Sequence, residues 1–392
     1  MDEGPEQTVD RLLTEQPEDP SIGPAIASLE QTALATGQID SLRAAWLLGM
    51  TTPINPLREK LTLMWHNHFA TSYAKVQSLE LMRRQIAQFR RHAWGNFGTL
   101  LHEVSRDPAM LVWLDGNSNR KRHPNENYAR ELMELFSLGV GNYTERDIQE
   151  AARGFSGWHM RHGDYWFNTL QHDDSEKTVF GKTGRFGGDE VVDLCLEQAA
   201  CPRFVATRLL QTFVHPRPPE EWTAAVADDL RRENFELRPV LRRLFLSTAF
   251  FSSEARNSLI KSPVDYVLGS MTLLGVAIRW PETLRLLSRL GQNVYEPPSV
   301  KGWDGQRNWV TSTTLMLRTQ FIADLIQTNQ YGVASQSKFI ESADLSELLA
   351  TILGSDNPQL LAAVREQLAG LPKSDPKQRL TLLMQLPEYH LY

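Results

Sequence analysis

Apolar side chains recur at helical spacing along almost the whole of this 392-residue chain. A chain patterned that way buries its stripes by packing helix against helix. Leu57, Leu61, Met64, Trp65 and His68 form one stripe behind Pro56, a favourable first-turn residue. Further helical segments are expected over 77–94, 96–107, 188–214, 219–233, 237–250, 262–278, 313–329, 342–354 and 357–370. Thr144 followed by Asp147 has the form of a capping box, and it leads into Ile148, Ala151, Ala152 and Phe155. The exception is 157–187, rich in Gly, aromatic and polar residues, which is expected to form a β-hairpin insertion. The predicted fold class is all-α, a multi-helix orthogonal array with that small insertion. The expected division is a main helical domain over 1–330 and a C-terminal helical appendage over 331–392.

Composition narrows the class further. With 41% hydrophobic and 22% charged residues the chain is an ordinary globular protein, and its formal charge of −6 gives no pull toward nucleic acid. No apolar run approaches the roughly 20 residues that span a bilayer. The acidic N-terminus lacks the layout of a secretory signal, so the chain as written reads as cytoplasmic, or as periplasmic or exported if a signal precedes it. Cys195 and Cys201 make neither a disulfide framework nor a zinc site. The Gly181–Thr183 segment lacks the upstream Gly of a P-loop, and Trp158 stands where a nucleophile elbow after Ser156 needs Gly.

The densest chemistry lies in Pro124–Phe136. Asn127, Glu131 and Glu134 recur at i, i+4 and i+7 on one side of a helix, with Tyr128, Leu132, Leu135 and Phe136 on the apolar side. Glu131 and Glu134 are expected to be substantially buried, with at least one of them paired with Arg130, Arg153 or a histidine. His66 and His68 end the preceding stripe, and two imidazoles with one or two carboxylates make a recognised metal set. The candidate metal ligands are therefore His66, His68, Glu131 and Glu134, for zinc, iron or manganese. Asp115, Asn117, Asn119 and Glu126 occupy positions 1, 3, 5 and 12 of a calcium-type loop. Calcium fits less well, because Arg120 stands where the turn wants Gly and three cations lie inside the loop.

A second cluster, His159, His162, His172, Asp173 and Asp174, lies in the irregular segment with Lys177 nearby. His172 and Asp173, with Glu131, are the candidate catalytic groups, since imidazole moves protons near neutrality. Arg83, Arg84, Arg90 and Arg91 form a basic stripe suited to phosphate or an acidic partner, although most such stripes are solvated faces.

The blocks LREKLTLMWHNHF, DPAMLVWLDGNSN, PNENYARELMELFSLGVGNYTERDIQEAARGFSGW, QHDDSEKTVFG and EPPSVKGWDGQRNW, in this order over roughly 50–325, resemble the bacterial domain of unknown function 1800 family. That resemblance carries no assigned activity. It implies a sulfatase-like neighbour as a candidate partner and export in many members. Two readings follow: an enzyme with a His/Glu polar site, metal-assisted and hydrolytic or redox in its chemistry, or a non-catalytic helical partner or scaffold of a sulfatase-like enzyme.

Overall fold

The computed structural model describes residues 3–17, 20–52, 54–334, 358–369 and 376–392. The chain is all-α with small antiparallel hairpins, and it divides into two compact units. The helix expected over 342–354 lies outside the described residues.

The first unit comprises Met1–Ala45, Thr52–Ser252 and Val294–Trp303. Its helices are α1 (Pro5–Leu12), α2 (Gly23–Thr36), α3 (Ile39–Met50, as far as Ala45), α4 (Pro56–His68), α5 (Tyr73–Val76), α6 (Leu79–Arg91), α7 (Phe97–Ser105), α8 (Pro108–Trp113), α9 (Asn127–Glu131), α10 (Glu145–Gly154), α11 (Gly188–Glu197), α12 (Ala200–Phe213), α13 (Glu220–Arg232) and α14 (Leu237–Phe245). The Thr144–Asp147 capping box forms at the start of α10.

Helix α4 is the centre of this unit. Leu57, Leu61, Leu63, Met64, Trp65, His66 and His68 are all buried, so the helix is covered on every side rather than along one stripe. Trp65 stacks on Phe69, whose ring also meets Phe89, Phe97 and Phe136 at 5.3–6.4 Å. Burial of each such ring contributes roughly 2–3 kcal/mol. Glu59 is taken by a two-point bond from Arg90 at 2.6 and 3.0 Å, which removes Arg90 from the basic stripe.

The insertion holds two hairpins. Strands β1 (Trp158–Arg161) and β2 (Asp164–Phe167) pair in register from Trp158 opposite Phe167 to Arg161 opposite Asp164. The His162–Gly163 turn has φ of 54° and 85°, the paired positive values of a tight two-residue hairpin loop. Strands β3 (Lys177–Val179) and β4 (Lys182–Gly184) make the second hairpin.

The second unit comprises Trp46–Thr51, Ser253–Asn293 and Asp304–Tyr392. It contains α15 (Pro263–Leu273), β5 (Val276–Ile278), α16 (Trp280–Arg289), α17 (Ser312–Gln327), β6 (Gly332–Ala334), α18 (Pro358–Ala369) and α19 (Pro376–Met384). The helix expected to run to 278 stops at Leu273. Gly275 takes φ 59° and the chain continues as β5, paired with β6 from across the unit. Arg318 is fully buried, bonded to the Lys261 carbonyl at 2.9 Å and lying 4.6 Å from the Tyr266 ring.

Gly302 brings its backbone close against the last turn of α4. It has φ 82°, and a Cβ there would lie 2.3 Å from Asn67 Oδ1 and 2.4 Å from the Asn67 carbonyl oxygen. Asn67 Oδ1 accepts the Trp303 amide at 2.7 Å. Gly302→Ala is expected to destabilise the chain by about 2–4 kcal/mol, through left-handed strain and overlap. Urea unfolding measures it, and a variant as stable as the parent would mean that this approach is not needed.

Candidate functional site

The last turn of α4 sends each polar side chain to a different segment. His66 Nε2 accepts the Tyr295 amide at 3.1 Å, with Trp303 edge-on to its ring. His68 Nε2 lies 2.9 Å from the Phe136 carbonyl oxygen, which only accepts, so this nitrogen carries the proton. The neighbouring imidazoles are thus opposite tautomers. The lone pair of His66 Nε2 is spent on Tyr295, and that of His68 is on Nδ1, buried without a hydrogen-bond partner. Burial lowers both from the ordinary value to about 3, with Arg208 adding to the effect at His68.

Glu131 and Glu134 lie at the join between α9 and a short π-helix, Leu132–Ser137. There the Leu138 amide reaches back five residues to the Met133 carbonyl at 3.0 Å. The wider turn rotates the following side chains, so Met133 is fully buried and Leu135 only half-buried. Glu131 and Glu134 are half-buried rather than buried. Glu134 takes its hydrogen bond from the Tyr143 hydroxyl at 2.5 Å, not from an arginine or a histidine. Burial and then the Glu134 charge raise the Glu131 carboxyl, against a smaller effect of Arg130. Arg130 itself holds Glu126 and Glu145.

The calcium-type loop is a hydrogen-bonding scaffold. Asn117 Oδ1 accepts the Met160 amide, Asn119 Nδ2 donates to the Ala152 carbonyl at 2.8 Å, and Asn119 Oδ1 accepts the Asn125 amide. Asp115 pairs with Lys75 at 2.9 Å and Glu126 with Arg130. The four side chains therefore turn to different partners. Among the described residues, no three His, Cys, Asp or Glu side chains are grouped to hold a metal ion.

In the insertion, the Asp173 carboxylate faces Arg153 at 2.8 Å and accepts from Ser175. Burial works to raise it, but the bonds from Ser175 and Arg153 outweigh burial and hold it well below the usual carboxylate range. Lys177, almost fully buried, donates to the carbonyls of Asp173 and Ser175. His172 Nδ1 donates to the Ser156 carbonyl at 2.8 Å, so His172 and Asp173 are neighbours in sequence without forming a dyad. His159 bonds Gln171, and Asp174 pairs with Lys121 at the surface.

An open concavity of this unit lies elsewhere. A cavity of about 510 Å³ is lined on α6 by Arg83, Arg84, Ala87, Gln88 and Arg91, and opposite by Glu103, Arg106, Asp107, Pro108, Asp164 and Tyr165. Arg84 donates to the Gly163 carbonyl and to Asp164, each at 2.9 Å, so the hairpin turn forms one wall. Arg91 spends one amino group on Glu103, and Arg106 lies 5.8 Å over the Tyr165 ring. Three of these arginines stand in the basic stripe of the sequence. Arg106 and Tyr165 come from segments whose pattern gives no such signal. Asp107 lines the floor, capping α8 through the Met110 amide and accepting from Gln85 at 2.6 Å. Burial pushes it up to about 6.

Acid stability follows from these buried groups. Between pH 6.5 and about 3 the unfolded chain takes up protons that His66 and His68 refuse when folded, so stability falls as pH falls. Asp107 has the opposite sign: its folded carboxyl binds a proton below about 6 while the unfolded one waits until 3.8, which adds stability in that window. At pH 5 His66 and His68 together remove about 4 kcal/mol, His390, buried in the second unit and lowered to about 4, removes about 2 more, and Asp107 returns about 1. Urea unfolding is expected to give a stability about 5 kcal/mol lower at pH 5 than at pH 7.5, and His68→Gln should lose about a third of the histidine effect. Equal stability at both pH values would mean that the imidazoles titrate near 6.5 inside the fold.

Among the described residues, no helix is long and apolar enough to cross a membrane. No curated protein and no solved structure matches the chain. The family described as protein of unknown function (DUF1800) matches residues 1–391, essentially the whole chain, and to that family this protein belongs.

Proposed function

We propose that this chain is a ligand-binding helical module whose working surface is the arginine-lined cleft, and that it takes an anionic ligand. The observation that carries this reading is the cleft itself, where four guanidinium groups line one open cavity of about 510 Å³. Their carboxylate partners are at least partly exposed: Glu80 on Arg83 is 47%, Asp164 on Arg84 73%, Glu103 on Arg91 39% and Asp189 on Arg106 39% accessible. Such pairs hold little energy and exchange readily for a ligand anion. Supporting it, His66, His68, Asp173 and Lys177 already brace the fold through bonds to Tyr295, Phe136, Arg153 and two backbone carbonyls.

Titration calorimetry with inorganic tripolyphosphate tests the reading. Saturable binding is expected, weakening as salt rises, and falling at least tenfold in the Arg84→Gln/Arg91→Gln variant. Absence of saturable binding at millimolar ligand would overturn it.

The catalytic reading rests on Glu131, whose carboxyl is raised by burial and by the Glu134 charge, and on His172, whose Nε2 keeps its lone pair on a half-buried ring. A metal-assisted version requires His66 to give up the Tyr295 amide, on which its Nε2 lone pair is spent, and to join His68, Glu131 and Glu134; His68 would ligate through Nδ1 with its Phe136 bond kept. Elemental analysis of the native protein decides that version. One equivalent of zinc, iron or manganese per chain, lost in His68→Ala, would establish it. The family resemblance adds a sulfatase-like enzyme as protein partner. In its favour, Trp166, Phe167 and Leu170 on and after the first hairpin are 39%, 39% and 91% exposed. Leu170→Asp is expected to abolish co-purification of such a partner.

A further inference from the structure

We infer that the cleft selects an extended ligand carrying two oxyanions about 10 Å apart on a neutral body. This rests on the reading of the cleft as an anion site and adds the shape of what it binds.

The lining of α6 repeats by turns: Arg83 and Arg84, then Ala87 and Gln88, then Arg91. The arginines are seven and eight residues apart, so at 1.5 Å of rise per residue their positions on the helix are separated by about 10–12 Å. A single tetrahedral oxyanion, with hydrogen bonds of about 2.7–3.2 Å to its donors, cannot reach both ends. Between them α6 offers no charge, only Ala87 and Gln88, and the lining opposite includes Pro108 and the Tyr165 ring, with Asp107 already capping α8 on the floor. This middle accepts carbon or a sugar-like body.

Each end already holds an oxyanion of the protein. Asp164 sits on Arg84 at 2.9 Å and Glu103 on Arg91 at 3.2 Å. These two carboxylates are tethered occupants of the positions that a ligand's charged groups would take. Neither arginine is saturated by its carboxylate. Arg84 uses its two amino groups, and Arg91 only one. Arg106, held over the Trp158 and Tyr165 rings at 5.5 and 5.8 Å and paired through one amino group with Asp189, adds a third guanidinium on the opposite wall.

The shared chemistry is a pair of tetrahedral oxyanions, supplied as phosphate or as sulfate esters. The test uses the full chain and two series of linear alkanes with 2 to 12 methylenes, one capped at both ends by phosphonate and the other by sulfonate. Affinity is expected to peak, about tenfold above the shortest member, where the two anions lie about 10 Å apart, and the series with the peak identifies the source. Arg91→Gln should remove the peak while leaving the shorter members bound at Arg83 and Arg84. Asp164→Asn and Glu103→Gln, which withdraw the tethered carboxylates, should each tighten the best member several-fold. Affinity independent of length, or unchanged by Arg91→Gln, overturns the inference. If tripolyphosphate binds and neither series peaks, only the spacing is wrong. If nothing binds, the anion site itself falls.

Discussion

The first unit depends on one turn of helix, Trp65 to Phe69, that spends every side chain on a different part of the chain. Trp65 Nε1 donates to the Ala93 carbonyl, His66 accepts the Tyr295 amide, Asn67 accepts the Trp303 amide, and His68 donates to the Phe136 carbonyl. Phe69 closes the turn in a cluster of rings. Buried polar groups are tolerated only when bonded, and a single missing partner costs about 1–3 kcal/mol. This turn therefore ties together segments that could not otherwise lie against a buried helix. Gly302 belongs to the same constraint, since only a residue without Cβ lets the returning chain approach Asn67.

The π-helix extends that logic. Its widened turn alters which carbonyls the helix itself uses, and the Phe136 carbonyl is taken by His68. The same turn leaves Glu131 and Glu134 on a half-buried face, where Tyr143 meets one of them. Beyond it, the asparagines of the 115–127 loop and Arg153 of α10 hold the hairpin insertion to the helical body. The insertion in turn supplies Asp164 and Tyr165 as the far wall of the arginine cleft. The cleft is thus a consequence of how a β-hairpin is strapped beside α6.

Much of the fold was legible in the chain. The 3.6-residue stripes located most helices, and the Thr144–Asp147 box and the Pro56 start read correctly, because these signals are local. Gly and aromatic density marked the insertion, although two hairpins occupy it instead of one. The missed strand at 276–278 pairs with 332–334, some 55 residues away, and carries no pattern of its own. Arg83, Arg84 and Arg91 were visible as a stripe. That the stripe lines a cavity was not, because Arg106 and Tyr165 face it from other segments.

The sequence by itself determined most of the helices, the Thr144–Asp147 cap and the set of residues able to do chemistry, since periodicity and residue type act over a few neighbours. Tertiary structure alone decided what each polar group does. His66 meets a partner 229 residues away and His68 one 68 residues away, so no local pattern distinguishes a brace from a ligand. Glu131 and Glu134 kept their helical spacing, but an inserted wide turn changed which neighbours they face. A buried hydrogen bond is short-ranged in space and indifferent to separation along the chain, which is why the roles of these side chains were fixed only when the chain closed on itself.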